Sequence, residues 1–194
     1  MEGSIFIAGA GVQWLRDRMK FFKKASETEK IIKSLNDNKG VYLVPAFTGL
    51  GAPYWDSNSR GVLSGLTRDT GPKEIIRATI ESVAYQSYDL FEAMKHDGLR
   101  PRLVKVDGGM VMNNWFSQFL SDVVNVGVLR PKVKETTALG AAFMAGLQIG
   151  VYKSLKDISK NWALDKKFSP KMKNSSRTKF LKGWSKAIKR TLIN

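Results

Sequence analysis

The sequence predicts an α/β domain with a largely parallel central sheet. Short apolar runs typical of strands alternate with longer segments that repeat apolar residues at helical spacing. Clusters of glycine, proline and asparagine separate these segments. The chain has 194 residues, of which 43% are hydrophobic, so it can bury the core of one large or two small domains.

The first quarter of the chain predicts two strands and two helices. Ser4 to Ala8 is an apolar strand, and Gly9-Ala10-Gly11 leads into a helix whose apolar side carries Val12, Leu15, Met19 and Phe22. A second helix covers about Glu27 to Leu35. The next strand, Val41 to Val44, ends at Pro45. The loop of residues 47–56 is too apolar for a solvated linker, so we expect another part of the chain to cover it.

A strand and a long helix follow. Gly61 to Leu66 reads as the strand, and the helix covers Lys73 to Lys95, with Pro72 in its first turn, where the missing N–H costs nothing. His96 is the single histidine of the sequence and follows this helix directly. We expect His96 to cap the helix C-terminus, with a catalytic role as the alternative.

A strand-to-helix junction is the most informative local pattern. The apolar run Leu103, Val104 and Val106 predicts a buried parallel strand, Gly108-Gly109 forms a turn, and Asn113 caps the next helix. Glycine lets a ligand approach the backbone, and a helix N-terminus favours negative charge. A tight turn with a capped helix and no ligand stays the alternative.

The last third predicts one more strand and a helix of small residues. Val126 to Leu129 forms the strand, which Arg130-Pro131 ends, and Thr136-Thr137 caps a helix containing Ala138, Gly140, Ala141, Ala142, Ala145 and Gly146. Small residues allow a helix to approach a sheet or a ligand closely, and packing on a sheet explains them without a ligand.

Positive charge is concentrated in the C-terminal tail. The net charge is +15, and residues 153–194 contribute +11 of it through thirteen Lys or Arg against two Asp. The tail also has a helical apolar face, formed by Phe180, Leu181, Trp184, Ala187, Ile188 and Leu192. We expect a helix docked on its domain with solvated lysines. Binding to an anionic membrane or to nucleic acid is the alternative.

Composition excludes several other classes of protein. The sequence has no cysteine, which rules out disulfides and thiolate metal sites and fits a reducing compartment. No apolar run is long enough to span a bilayer, and Met1-Glu2-Gly3 does not begin a signal peptide. We therefore expect a cytoplasmic protein.

Three segments in collinear order resemble one enzyme family. The loop Val44 to Asp56 resembles a loop of the glycerol kinases, which belong to the carbohydrate kinases with a ribonuclease H-like or actin-like ATPase fold. Gly61 to Leu66, with Glu74-Ile75 and Ala78 to Glu81, is similar to the second signature of that group. Val106 to Gly109 with Asn113 resembles its adenosine-binding turn.

The resemblance implies transfer of a phosphoryl group from ATP to glycerol, with Mg²⁺ neutralising the phosphates. It covers only the C-terminal portion of the family, so the fold would lack its first strands and leave Ser4 to Ala8 as a sheet edge. The catalytic Asp and the glycerol contacts would lie before Met1, which implies an inactive isolated chain and no catalytic or metal-binding residue in it. Residues 1–152 would form the nucleotide-binding domain, and residues 153–194 a basic helical extension packed on it.

Four residues match nucleotide contacts of the family. Gly9 and Gln13 match its Gly-x-x-x-Gln pattern, while Gly109 and Asn113 match the adenosine-binding turn. The resemblance implies that ATP or ADP is the partner of this portion, and that the full-length enzyme is a homo-oligomer that uses neither nucleic acid nor membrane. Whether Asp107 contacts Mg²⁺ stays open.

Two further sets of residues allow a functional and a structural interpretation. Tyr54, Trp55 and Asp56 could form a platform for glycerol, but packing near the domain cleft explains them better. Glu81, set in an apolar helix face, is expected to be a buried structural carboxylate bonded to a neighbouring loop. Two alternatives for the whole chain remain: a kinase of another polyol or sugar, and a non-catalytic module whose basic helix binds an anionic surface.

Overall fold

The computed structural model describes residues 3–192, so the expectation about the start of the chain at Met1-Glu2 lies outside the described residues. Within this range, helices and strands alternate much as the sequence predicts. The elements are α1 (Gly9–Asp17), α2 (Glu27–Lys33), β1 (Tyr42–Val44), β2 (Val62–Ser64), α3 (Pro72–His96), β3 (Leu103–Lys105), a 3-10 turn (Gly109–Met112), α4 (Asn114–Val124), β4 (Gly127–Pro131), α5 (Thr136–Gln148), α6 (Leu155–Ser159), β5 (Leu164–Phe168) and α7 (Asn174–Thr191).

The strands form two small sheets. β1 pairs with β2 in antiparallel register, and β4 lies between β3, to which it is parallel, and β5, to which it is antiparallel. The prediction of a largely parallel sheet is therefore wrong for the described part of the chain. A parallel pair needs a crossover connection, and only β3 and β4 are joined by a single crossover helix, α4.

The segment from Ser4 to Ala8 is not a strand, contrary to the sequence prediction. Its backbone groups bond elsewhere: the carbonyl of Ser4 accepts from Ala52 N at 3.1 Å, and that of Ile7 accepts from the Gln86 side chain at 3.3 Å. No strand of residues 3–192 lies beside it. The apolar run instead packs irregularly, with the Ile7 side chain buried.

Helix α3 is the centre of the domain. It begins at Pro72 and is stabilised at its start by the Gly71 N–H, which donates to Glu74 Oε2 at 3.0 Å. Its buried side chains pack against α1, α2, α4 and β1, and they include the predicted core residues Ile76, Ile80, Val83 and Ala84. This position lets α3 support the loops on both sides of the domain.

The C-terminal tail contributes to both the core and a sheet. α7 packs against β1 and β2 through the buried side chains of Trp184, Ala187 and Ile188. β5 adds an antiparallel strand to β4, which the sequence analysis does not anticipate. Its Lys-rich segment has a single buried position, Phe168, so it lacks the apolar run that indicates a strand.

Three local predictions differ from the structure. β4 continues through Arg130 and Pro131 instead of ending before them, and it has a register irregularity there. Thr136 and Thr137 belong to the first turn of α5, whose N-cap residue is Glu135. β3 is parallel as predicted, but Leu103 is 53% exposed because β3 is an edge strand.

Helix α5 does not pack on a sheet within the described residues. Gly146 is its buried position, where the glycine lies against the ring of Tyr152, and most of the other small residues are exposed. An apolar helix with so little covered surface is unusual in a folded domain.

Candidate functional site

A cavity of about 600 Å³ lies between α1, α2 and the turn that precedes α4. The four residues selected from the sequence, Gly9, Gln13, Gly109 and Asn113, all line it. They come from segments about 100 residues apart, and the fold brings them together. The complete lining consists of Gly9, Val12, Gln13, Arg16, Ala25, Ser26, Thr28, Glu29, Ile80, Gly109, Met110, Met112 and Asn113.

The two glycines of the cavity wall leave space for a ligand. A Cβ added at Gly9 or Gly109 would meet no atom within 4 Å, so neither glycine is required by packing inside the protein. Gly108 differs, because its φ of +83° is in the left-handed region and its N–H donates to the Lys134 carbonyl at 3.2 Å. Gly108 therefore shapes the turn, while Gly109 faces the cavity.

The first turn of α1 forms one wall of the cavity. Its N-cap residue is Ala8, which has no side chain that could accept from the helix N–H groups, and the turn holds no acidic residue. The positive end of the helix dipole is thus not neutralised locally. The exposed amide of Gln13, one turn later, has no hydrogen-bond partner among residues 3–192.

The Asn113 amide is held by two hydrogen bonds. Its Oδ1 accepts from Phe116 N at 3.0 Å, which caps α4 as predicted, and its Nδ2 donates to Thr28 Oγ1 at 3.3 Å. The Thr28 hydroxyl in turn donates to the Ala25 carbonyl at 2.7 Å. Half of the hydrogen-bonding capacity of the amide remains for a ligand.

Glu29 is a charged residue of the cavity that sequence reasoning missed. Its Oε2 accepts from Asn114 N at 3.0 Å, and its Oε1 accepts from Lys33 Nζ at 2.5 Å. Although burial opposes it, the Lys33 ammonium and the Asn114 N–H lower the pKa of Glu29. The carboxylate therefore neutralises the N-terminus of α4, which the sequence alone predicts to be open to an anion. The weak sequence signal was an acidic first turn in α2.

Tyr54, Trp55 and Asp56, the residues that could form a platform for glycerol, do not line the cavity. The Tyr54 hydroxyl donates to Asp89 Oδ2 at 2.8 Å, and Asp56 accepts from the Ser59 hydroxyl at 2.5 Å. Trp55 is 68% exposed. None of the three lines the cavity, and Tyr54 packs against the core, in agreement with the structural interpretation.

Other candidates have structural roles or lie outside the cavity. Glu81 is fully buried and accepts hydrogen bonds from Arg77, Tyr85 and the loop residue Asn38, as expected of a structural carboxylate. His96 lies in the last turn of α3, but the C-cap is Asp97 and the His96 side chain makes no hydrogen bond among residues 3–192, so the expectation that it caps the helix is wrong. Asp107 is exposed and does not line the cavity.

Within residues 3–192, no group of three or more His, Cys, Asp or Glu could hold a metal ion. No helix of the same range is long and apolar enough to cross a membrane.

Comparison with known proteins identifies relatives over almost the whole chain. The chain is 55% identical to glycerol kinase 1 of Pseudomonas aeruginosa over 98% of its length, and 52% identical to a glycerol kinase of Clostridium botulinum over 99%. It spans 38% and 39% of the lengths of those two proteins. The chain therefore corresponds to about two fifths of its curated relatives.

Solved structures share the fold. The Plasmodium falciparum glycerol kinase with ADP superposes with a TM-score of 0.87 at 38% identity, covering 98% of this chain and 38% of that protein. A ligand-bound xylulose kinase from Lactobacillus acidophilus superposes with a TM-score of 0.79 at 22% identity, covering 97% of this chain and 38% of that protein. This similarity supports the fold alone. The predicted actin-like ATPase fold, C-terminal half only, is thus confirmed.

The family model that matches residues 1–149 describes the C-terminal domain of the FGGY family of carbohydrate kinases. Its match covers more than three quarters of the chain and includes all four residues selected from the sequence. The chain belongs to the FGGY family of carbohydrate kinases.

Proposed function

We propose that the chain is the C-terminal, ATP-binding part of a glycerol kinase, an enzyme that converts ATP and glycerol to ADP and glycerol 3-phosphate. The observation that carries this proposal is the cavity where Gly9, Gln13, Gly109 and Asn113 meet. Its volume of about 600 Å³ suits a nucleotide. The solved structure of the P. falciparum glycerol kinase is a structure with ADP, which supports a nucleotide as the ligand.

The charges of the cavity suggest how the nucleotide lies. A phosphate next to Glu29 would face a fixed carboxylate, so the phosphates belong at the uncapped N-terminus of α1, near Gly9. The adenosine then lies against Gly109 and the Asn113 amide, where the cavity has space beside the backbone. This orientation agrees with the roles that the family resemblance implies for these residues.

Mg²⁺ is part of the proposed reaction, but we assign no residue of this chain to it. Mg²⁺ in such sites is held by phosphate oxygens, waters and one or two carboxylates. Asp107 does not fit, because it is exposed outside the cavity. Any protein ligand of the ion would therefore come from the portion of the relatives that this chain does not span.

The proposed reaction also needs a carboxylate that accepts the proton of the glycerol hydroxyl. We place it, with the glycerol contacts, in that remaining portion of the relatives. The uncovered apolar side chains of α5 and the segment after it offer a surface for this portion: Met144 is 50% exposed, Ile149 77% and Val151 66%. We further propose that the complete enzyme is cytoplasmic and self-associates, as the family resemblance implies.

Calorimetry and an activity assay test the proposal together. The pure chain should bind ADP but should not phosphorylate glycerol, because the catalytic carboxylate is outside it. Adding the purified N-terminal three fifths of a bacterial glycerol kinase should restore some turnover if the two parts associate. Turnover by the pure chain after removal of contaminating kinase, or no binding of ADP, would contradict the proposal.

A further inference from the structure

The cavity wall beside Asn113 is fixed in the structure. Glu29 is held by one backbone N–H, from Asn114, and one ammonium, from Lys33, and its side chain is 22% exposed. These two donors restrict both carboxylate oxygens. A ligand group that reaches this wall therefore meets a negative charge whose two oxygens are already oriented by protein donors.

The orientation of the neighbouring amide is also determined. Phe116 N–H can only donate, so it must face Oδ1 of Asn113. The Thr28 hydroxyl donates its proton to the Ala25 carbonyl, so its oxygen must accept from Nδ2 of Asn113. Two independent partners thus agree on the amide orientation. One N–H and one lone pair of the amide remain for a ligand.

The hydrogen-bond acceptors of Glu29 and the remaining N–H of Asn113 favour a purine edge with a matching donor and acceptor. The ionised Glu29 carboxylate offers acceptors only, and the remaining N–H of Asn113 can donate to a ring nitrogen. An amino group on the base would donate to the carboxylate. A keto oxygen at the same position would place an acceptor against the carboxylate, which leaves the keto oxygen without a donor and adds repulsion.

We propose that Glu29 is a specificity-determining residue that selects a 6-amino purine over a 6-keto purine. The proposal rests on the nucleotide site proposed above and goes beyond it by assigning the choice of base to one side chain. The carboxylate acts by direct contact with the amino group, and Thr28 acts through Asn113 as a positioning residue. A pair of this kind provides about 1–3 kcal/mol of discrimination, which corresponds to a ratio of roughly 5- to 150-fold.

ADP and inosine diphosphate provide the direct comparison, because adenine has a 6-amino donor and an N1 acceptor, whereas hypoxanthine has a 6-keto acceptor and an N1–H donor. Their dissociation constants are measured by calorimetry for the wild-type chain, Glu29→Gln and Lys33→Gln. We expect the wild type to prefer ADP by roughly 5- to 150-fold. Glu29→Gln should reduce this ratio at least about fivefold, because an amide can donate to the keto oxygen while still accepting from Asn114 N.

Lys33→Gln is the matched control. It removes the positive charge of the exposed partner but keeps a side-chain N–H that can donate to the carboxylate, so the preference for ADP should persist. Glu29→Asp, which withdraws the carboxylate by one methylene, is the second variant and should also lower the ratio.

If either Glu29 variant still binds ADP and keeps the wild-type ratio of affinities for ADP and inosine diphosphate, the inference about Glu29 is overturned. The proposed nucleotide site would remain intact in that case. Failure of the folded wild-type chain to bind ADP would overturn both.

Discussion

The Trp184 indole Nε1 donates to Asp89 Oδ2 at 2.6 Å, which ties the terminal helix α7 to the C-terminal half of α3. Trp184 is 1% exposed, and its ring stacks on that of Tyr85 at a centroid distance of 5.3 Å. The same Asp89 oxygen accepts from the Tyr54 hydroxyl at 2.8 Å. The tail, α3 and the loop after β1 therefore meet at one partly buried carboxylate.

Trp184→Phe should lower the free energy of unfolding by about 1–3 kcal/mol, because it removes the indole donor and leaves space in the core. Urea unfolding followed by circular dichroism measures the change. Trp55→Phe is the control: Trp55 is 68% exposed, so its substitution should change stability by less than about 0.5 kcal/mol. Equal effects of the two substitutions would contradict this role of Trp184.

The pH dependence of stability should report on Asp89. Burial raises the pKa of Asp89, and Glu92 adds to this, against the lowering effect of the Trp184 and Tyr54 donors. A pKa raised by folding contributes stability that is present below the unfolded pKa of about 3.9 and is lost as pH rises through the folded pKa.

Asp89→Asn removes this titration but keeps an oxygen that accepts both hydrogen bonds. The wild type should therefore lose stability relative to Asp89→Asn as pH rises above about 4 and through the raised pKa of Asp89. Urea unfolding at several values of pH above about 4 measures the difference. A wild type that gains stability relative to the variant as pH rises would show that the ionised form is the favoured one.

The ion pair between Arg77 and Glu81 should be strongly coupled. Arg77 Nε lies 2.7 Å from Glu81 Oε1, and the two side chains are 5% and 0% exposed. Arg77→Met leaves a buried carboxylate without its cation and should cost about 3–5 kcal/mol. The double variant Arg77→Met/Glu81→Met should cost less than the sum of the two single changes.

A double-mutant cycle from urea unfolding measures this coupling. The partly exposed pair Lys95 and Glu92 is the control, where Lys95→Met should cost less than about 1 kcal/mol. Additive effects of the Arg77 and Glu81 substitutions would mean that the pair does not act as a unit.

Local patterns in the sequence predict the helices better than the pairing of strands. The bounds of α3 are predicted within about one residue, because Pro72 marks its start and its apolar residues repeat along its length. The segment from Ser4 to Ala8 looks like a strand but has no strand beside it in residues 3–192. Pairing depends on distant segments, so an apolar run alone cannot determine it.

The candidate site shows the same contrast between residues in local motifs, which can be predicted, and contacts between distant segments, which cannot. Gly9, Gln13, Gly109 and Asn113 could be selected because they lie within motifs that resemble a known family. Glu29 could not be selected, because its partner Asn114 is 85 residues away in the sequence and only the fold brings them together. The exposed surface of α5 was missed for a related reason, since small residues allow close packing but do not indicate what packs there.

The exposed lysines of α7 test the alternative of a module that binds anionic surfaces. Deleting the tail would remove the buried Trp184, so a variant that neutralises only exposed lysines is the sharper test. Changing Lys179, Lys182, Lys186 and Lys189, all exposed, to Gln should preserve stability and ADP binding. Binding of duplex DNA or anionic vesicles should be weak in both proteins. Strong, salt-sensitive binding by the wild type that this variant loses would favour the alternative.

Binding of ADP to the wild-type chain and to Gly109→Val, measured by calorimetry, tests the proposed nucleotide site most directly. A Cβ at Gly109 meets no protein atom within 4 Å, and Gly109 lines the cavity, so the variant should fold normally but exclude the adenosine. Gly140→Ala, on α5 and equally free of contacts, is the control and should bind ADP like the wild type. We expect binding by the wild type and the control and none by Gly109→Val; wild-type affinity in a folded Gly109→Val would contradict the proposed site.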